Sequence, residues 1–115
     1  METTSAVGAL SALAHEGRLE IFRLLIRGGG EGLAAGKIAQ LTGVLPNTLS
    51  ANLNVLNHAG LIAARRDGRS IIYTAQYAAM RELIGFLLED CCGGAPEICE
   101  PIAEALTCCP AAGDC

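Results

Sequence analysis

Large aromatic side chains are nearly missing from this chain: it has no tryptophan, two tyrosines and two phenylalanines. With 51% apolar content drawn mostly from Leu, Ile and Ala, its core must be aliphatic, the composition of helices whose faces call for a partner subunit. Basic residues are absent after Arg81, and seven acidic residues stand between Glu82 and Cys115. That stretch lacks the cations an oxyanion-handling catalytic site needs, so the chain is not expected to be an enzyme. Cysteine is absent from the first 90 positions, which rules out a disulfide framework there; all six lie between Cys91 and Cys115. No window approaches the ~20 apolar residues of a membrane span. The opening METTSAVGALSALAHEG has no basic start followed by a continuous apolar run. The expectation is a cytoplasmic protein without a membrane partner, in whose reducing surroundings thiols serve as metal ligands or redox groups.

What is present divides by charge. The whole chain sums to −4, yet residues 1 to 81 carry eight basic against five acidic side chains. The mildly basic body can therefore face a polyanion that the acidic end would repel. At 115 residues there is room for one modest core.

Helical periodicity starts early. Val7, Leu10, Leu13 and Ala14 predict a first helix over about Ser5 to His15, interrupted near Gly17. RLEIFRLLI predicts a second, broadly apolar helix that GGG at 28 to 30 ends. A short helix near Ala34 to Leu41 follows, then a turn with Gly43 and Pro46, then a helix from about Asn47 to His58. Leu49, Leu53 and Leu56 fall at i, i+4 and i+7 there, which leaves Asn47, Thr48, Ser50, Ala51, Asn52 and Asn54 largely outward. LIAARRDGRSIIYTA then reads as two strands around an Asp67-Gly68 tip. The fold class expected is mainly α: a dimeric winged helix-turn-helix with a two-stranded β-hairpin wing. Tyr77 to Asp90 predicts a last long helix, and PIAEAL a short helical piece in the tail.

This order suits double-stranded operator DNA. A recognition helix offers hydrogen-bonding side chains to base edges, and Asn47, Thr48, Ser50, Asn52 and Asn54 are small and polar. Lys37, Arg65, Arg66 and Arg69 supply phosphate-neutralising charge, the last three around the hairpin tip. A homodimer would present two such helices to two half-sites. His15 and His58 are read as helix-terminal groups rather than ligands.

The thiols repeat one arrangement, Cys91, Cys92 and Cys99, then Cys108, Cys109 and Cys115. Three converging thiolates select a soft centre and exclude calcium or magnesium. Zinc commonly takes four ligands, whereas trivalent arsenic or antimony takes three sulfurs as a pyramid. A four-thiolate zinc site drawn from both triplets, a soft divalent metal such as Cd or Pb, and a redox-sensitive tail remain open on this reading.

In LAHEGRLEIFRLLI, AGKIAQLTGVLPNTLSANLNVLNHAGLI, RRDGRSIIYTA and FLLEDCCGGAPEIC the chain resembles the ArsR/SmtB family of winged-helix repressors, over about residues 7 to 99. The likeness is to arsenic-responsive members whose sensor follows the last helix. It implies a homodimer that leaves operator DNA when As(III) or Sb(III) binds, with no organic cofactor. The implied inducer ligands are Cys91, Cys92 and Cys99, with Cys108, Cys109 and Cys115 as a second candidate site. The implied organisation is a DNA-binding and dimerisation domain over 5–90 and an inducer-binding tail over 91–115. Three departures stand out: GLAAGKIAQ has no CxC, YTAQYAAMRELIGFLLED lacks the zinc sensors' Asp and His ligands, and Asn52 stands where TLSxHL commonly has histidine.

Overall fold

A computed structural model describes residues 1–89 and 96–106. The elements run α1 (Thr3–Leu13), α2 (Glu16–Gly28), β1 (Leu33–Ala34), α3 (Ala35–Thr42), α4 (Pro46–His58), β2 (Ile62–Asp67), β3 (Ser70–Ala75), α5 (Tyr77–Leu87) and α6 (Pro96–Leu106). One compact unit spans Met1–Ile84; the end of α5 and α6 fall in a second. The mainly α class with a hairpin wing is as the sequence predicts.

The core of the first unit is aliphatic. Ile21, Phe22 and Leu25 of α2, Ile38 of α3, Leu56 of α4, and Leu61 and Ile62 at the start of the wing are all buried. α2 is central because its apolar residues span a wide arc, and it packs against α1, α3, α4 and β3. The break between α1 and α2 falls at Ala14 and His15, ahead of Gly17. His15 caps α2, its Nδ1 accepting from the amides of Gly17 at 3.1 Å and Arg18 at 3.4 Å. Its terminal role is thus on the second helix. Arg18 reaches back, donating Nε to the Ala12 carbonyl at 2.6 Å, which satisfies an end of α1 that has no further helical partner.

α1 buries Ala6, Ala9 and Ala12. Its larger periodic residues, Val7 and Leu10, face outward. Small side chains let α1 lie close over α2 and α4, and the bulkier stripe is left for something outside this unit.

The sheet has three strands in the order β1-β3-β2, all antiparallel. The two-residue β1 has no periodicity to read, and the sequence expectation of two strands omits it. Gly32 sets it in place: its φ is +77°, and a Cβ built there would lie 2.5 Å from the Tyr73 carbonyl oxygen. Only glycine allows that approach at that backbone angle. α5 is anchored at its first residue, where Tyr77 donates its hydroxyl to the Ile26 carbonyl at 2.8 Å. α6 is longer than PIAEAL suggests, and holds Pro101 within it. That proline removes one helical hydrogen bond.

Candidate nucleic-acid interface

α3 ends where Gly43 turns left-handed, with φ 71° and ψ 10°, and donates its amide to the Ala39 carbonyl. Thr42 tightens the turn, its hydroxyl donating to the Ile38 carbonyl at 2.8 Å and accepting from Val44 N at 3.4 Å. Leu45 has no capping side chain, and Pro46 opens α4 as a first-turn residue with its φ already helical. Pro46 therefore belongs to the helix rather than the turn.

On α4 the buried stripe is Leu49, Asn52, Leu53 and Leu56, positions i, i+3, i+4 and i+7. Asn47, Thr48, Ser50 and Asn54 are exposed, as is Ala51. Together they form one polar outer face of small donors and acceptors. Asn52 corrects the sequence reading. It does not stand on the outer face but is 6% exposed, the sole buried polar side chain among the described residues. Counting the leucines alone hides this, because i+3 lies on the same stripe as i and i+4.

The wing is built from β2 and β3, paired from Ile62↔Ala75 to Asp67↔Ser70, with Gly68 and Arg69 as the two-residue tip. Gly68 has a φ of 62°, which the tight turn requires. Arg65, Arg66 and Arg69 are all exposed. Arg65 also braces the hairpin, donating Nη2 to the Glu31 carbonyl at 3.0 Å and so tying the wing to the loop before β1. Side-chain spacing on a strand puts Arg65 and Arg66 on opposite faces. Lys37 is exposed on α3. Lys37 on α3 and the three arginines of the wing are thus exposed on the same compact unit as the polar face of α4, so that charge for backbone phosphates and groups able to read bases belong to one body.

The second set of sequence candidates is placed differently. Cys91, Cys92, Cys108, Cys109 and Cys115 lie outside the described residues, and Cys99 falls within the backbone span of α6. Among the described residues no three His, Cys, Asp or Glu side chains gather as a metal site. No described helix is long and apolar enough to cross a membrane.

A short helix, a glycine turn, a polar-faced second helix and a basic hairpin define a winged helix-turn-helix. Residues 13–65, from the end of α1 into β2, match the helix-turn-helix domain family. The Mycobacterium tuberculosis HTH-type transcriptional regulator Rv0081 is 39% identical over 75 residues, covering 63% of this chain and 61% of that protein. Its crystal structure superposes with a TM-score of 0.55 at 30% identity, over 91% of this chain and 87% of that one. A Halobacterium salinarum protein, provisionally named the arsenical resistance operon repressor ArsR, is 41% identical over 63 residues, 55% of this chain and 48% of that protein. The homodimeric winged helix-turn-helix domain of Mb0332 from Mycobacterium bovis, a possible ArsR-family regulator, aligns at a TM-score of 0.62 and 31% identity. That match covers 76% of this chain and 81% of that domain. The chain spans about three fifths of the curated mycobacterial relative's length. It belongs to the ArsR/SmtB-related winged helix-turn-helix transcriptional regulators, a family of regulators rather than of enzymes.

Proposed function

We propose that this chain is a cytoplasmic, homodimeric repressor that binds operator DNA and releases it when As(III) or Sb(III) is captured by Cys91, Cys92 and Cys99. The observation that supports the DNA reading is the division of labour on the first unit: Asn47, Thr48, Ser50 and Asn54 outward on α4, with Lys37 of α3 and Arg65, Arg66 and Arg69 of the wing exposed in the same unit. The exposed Val7 and Leu10 stripe of α1 supports the dimer, since it is apolar surface that a second copy would cover. The homodimeric state of the mycobacterial domain agrees with it.

The inducer reading rests on donor chemistry. Three thiols within nine residues, just after α5, match the three-sulfur demand of As(III), and no described cluster offers a rival site. Each thiol releases its proton on binding, so neighbouring Glu89, Asp90, Glu97 and Glu100 hinder capture less than they would hinder a catalytic thiolate. The name of the halobacterial relative points the same way. The tail over 91–115 then acts as an inducer-binding appendage on the 5–90 body, drawing on the dimer-forming helices and altering the spacing of the two α4 helices. Linkage requires DNA to weaken inducer binding by the same factor.

The test titrates a bound operator duplex with arsenite, antimonite, cadmium and zinc under reducing conditions. C91S/C92S protein is expected to bind DNA normally and to lose release by arsenite, while C108S/C109S/C115S retains it. Release of DNA by arsenite from C91S/C92S overturns the site. Release by cadmium or zinc alone favours a divalent-metal sensor, and release on disulfide formation without added metal favours a redox sensor.

A further inference from the structure

Asn52 interrupts an otherwise leucine stripe, and what it faces is a bare backbone. A Cβ built on Gly17 would lie 3.2 Å from Asn52 Nδ2 and 3.3 Å from His15 Cε1, tighter than side chains ordinarily tolerate. Gly17 is itself held in place, its amide donating to His15 Nδ1. The corner between α1 and α2 therefore meets the recognition helix at a contact where a methyl group fits only if Asn52 and His15 give way by a few tenths of an ångström. Glycine is a poor helix former, so its place in the first turn of α2 runs against local propensity and is explained by this close approach.

The position on α4 matters more than the contact itself. Ser50 and Asn54 are each two residues from Asn52, roughly 200° around the helix, so they stand on the far side from it. A displacement at Asn52 turns or lifts the outer face as a body.

We propose that Asn52 is a positioning residue for DNA recognition, seated on Gly17, and that this seat fixes the rotation of α4 with respect to the corner between α1 and α2. The proposal rests on the DNA reading above. It makes Asn52 a determinant of affinity through the pose of Asn47, Thr48, Ser50 and Asn54, without touching a base.

The experiment uses the full chain and, as probe, the duplexes that wild-type protein enriches from a random-sequence pool. G17A, N52A and G17A/N52A are compared well below each variant's melting midpoint, so that unfolding does not enter. G17A is expected to bind about tenfold more weakly, the order of one lost base contact, with the loss spread across the site. G17A/N52A is expected to bind closer to N52A than the sum of the two losses predicts, because truncating Asn52 leaves the new methyl only the His15 ring to displace. N52A should weaken all duplexes alike, whereas loss of a base reader relaxes preference at one position. If wild-type protein enriches no duplex, the DNA reading falls and the positioning role with it. If it does, three outcomes overturn the positioning role alone: wild-type affinity in G17A, additive losses in the double variant, or an N52A loss confined to one base pair.

Discussion

α4 and α1 are both amphipathic, and they dispose of their apolar residues in opposite ways. On α4 the leucines go inward and the small polar groups go outward. On α1 the alanines go inward while Val7 and Leu10 remain 55% and 41% exposed. The difference teaches that periodicity identifies a helix without saying which of its stripes meets the chain's own core. α4 packs its leucines within one subunit and leaves a single large apolar residue, Val55, exposed; α1 carries a second apolar stripe, Val7 and Leu10, that one subunit does not use.

The sharpest way to test the α4 side is to remove Leu56, which is fully buried. Leu56→Ala should cost about 2–5 kcal/mol, from lost transfer energy and the cavity left behind. Urea denaturation followed by circular dichroism should show a lower midpoint with little change in slope. A loss below about 1 kcal/mol would mean that α4 repacks easily and is not the rigid element assumed above.

The α1 side is tested by Val7→Asp with Leu10→Asp. Within one subunit these positions are exposed, so helix content should be kept. Across a dimer interface the same change buries unpaired charge, and the dimer dissociation constant should rise roughly hundredfold or more. Sedimentation velocity over a concentration series reads this directly. An unchanged association state would assign the stripe to some other partner, and dimerisation to another surface.

The same contrast explains what could be read from the chain beforehand. Leu49, Leu53 and Leu56 and the Gly43 turn are local signals and fall where periodicity and the glycine put them, while the hairpin tip falls one residue on, at Gly68-Arg69, because Asp67 still pairs with Ser70. β1 is non-local: Leu33 and Ala34 become a strand because Gly32 lets the chain approach Tyr73, about forty residues away. Asn52 was misplaced because residue type suggested an outward polar group while the i+3 position dictated burial. His15 follows the same logic. Its Nδ1 caps α2 because the chain bends at Ala14 and His15, ahead of the Gly17 that signals a break, so the cap falls on the second helix rather than the first. Asn47, Thr48, Ser50 and Asn54, by contrast, stand outward as the spacing of the leucines predicts.

The smallest effect separates charge from structure within the wing. Arg66 and Arg65 are adjacent, exposed cations on opposite faces of β2, but Arg65 also donates to the Glu31 carbonyl. If Arg66 meets one phosphate, Arg66→Ala should weaken all duplexes evenly and make the slope of log K against log salt shallower by about 0.9. Arg65→Ala should add a second effect, because releasing the Glu31 carbonyl loosens the brace between the wing and the loop before β1. Hydrogen exchange should then quicken at β1 and β3 in Arg65→Ala and stay unchanged in Arg66→Ala. Equal exchange in the two variants would remove the brace from the argument and leave both arginines as simple phosphate contacts. A salt slope unaltered by Arg66→Ala would instead turn the wing away from the backbone and leave Lys37 and the α4 face to carry the contact.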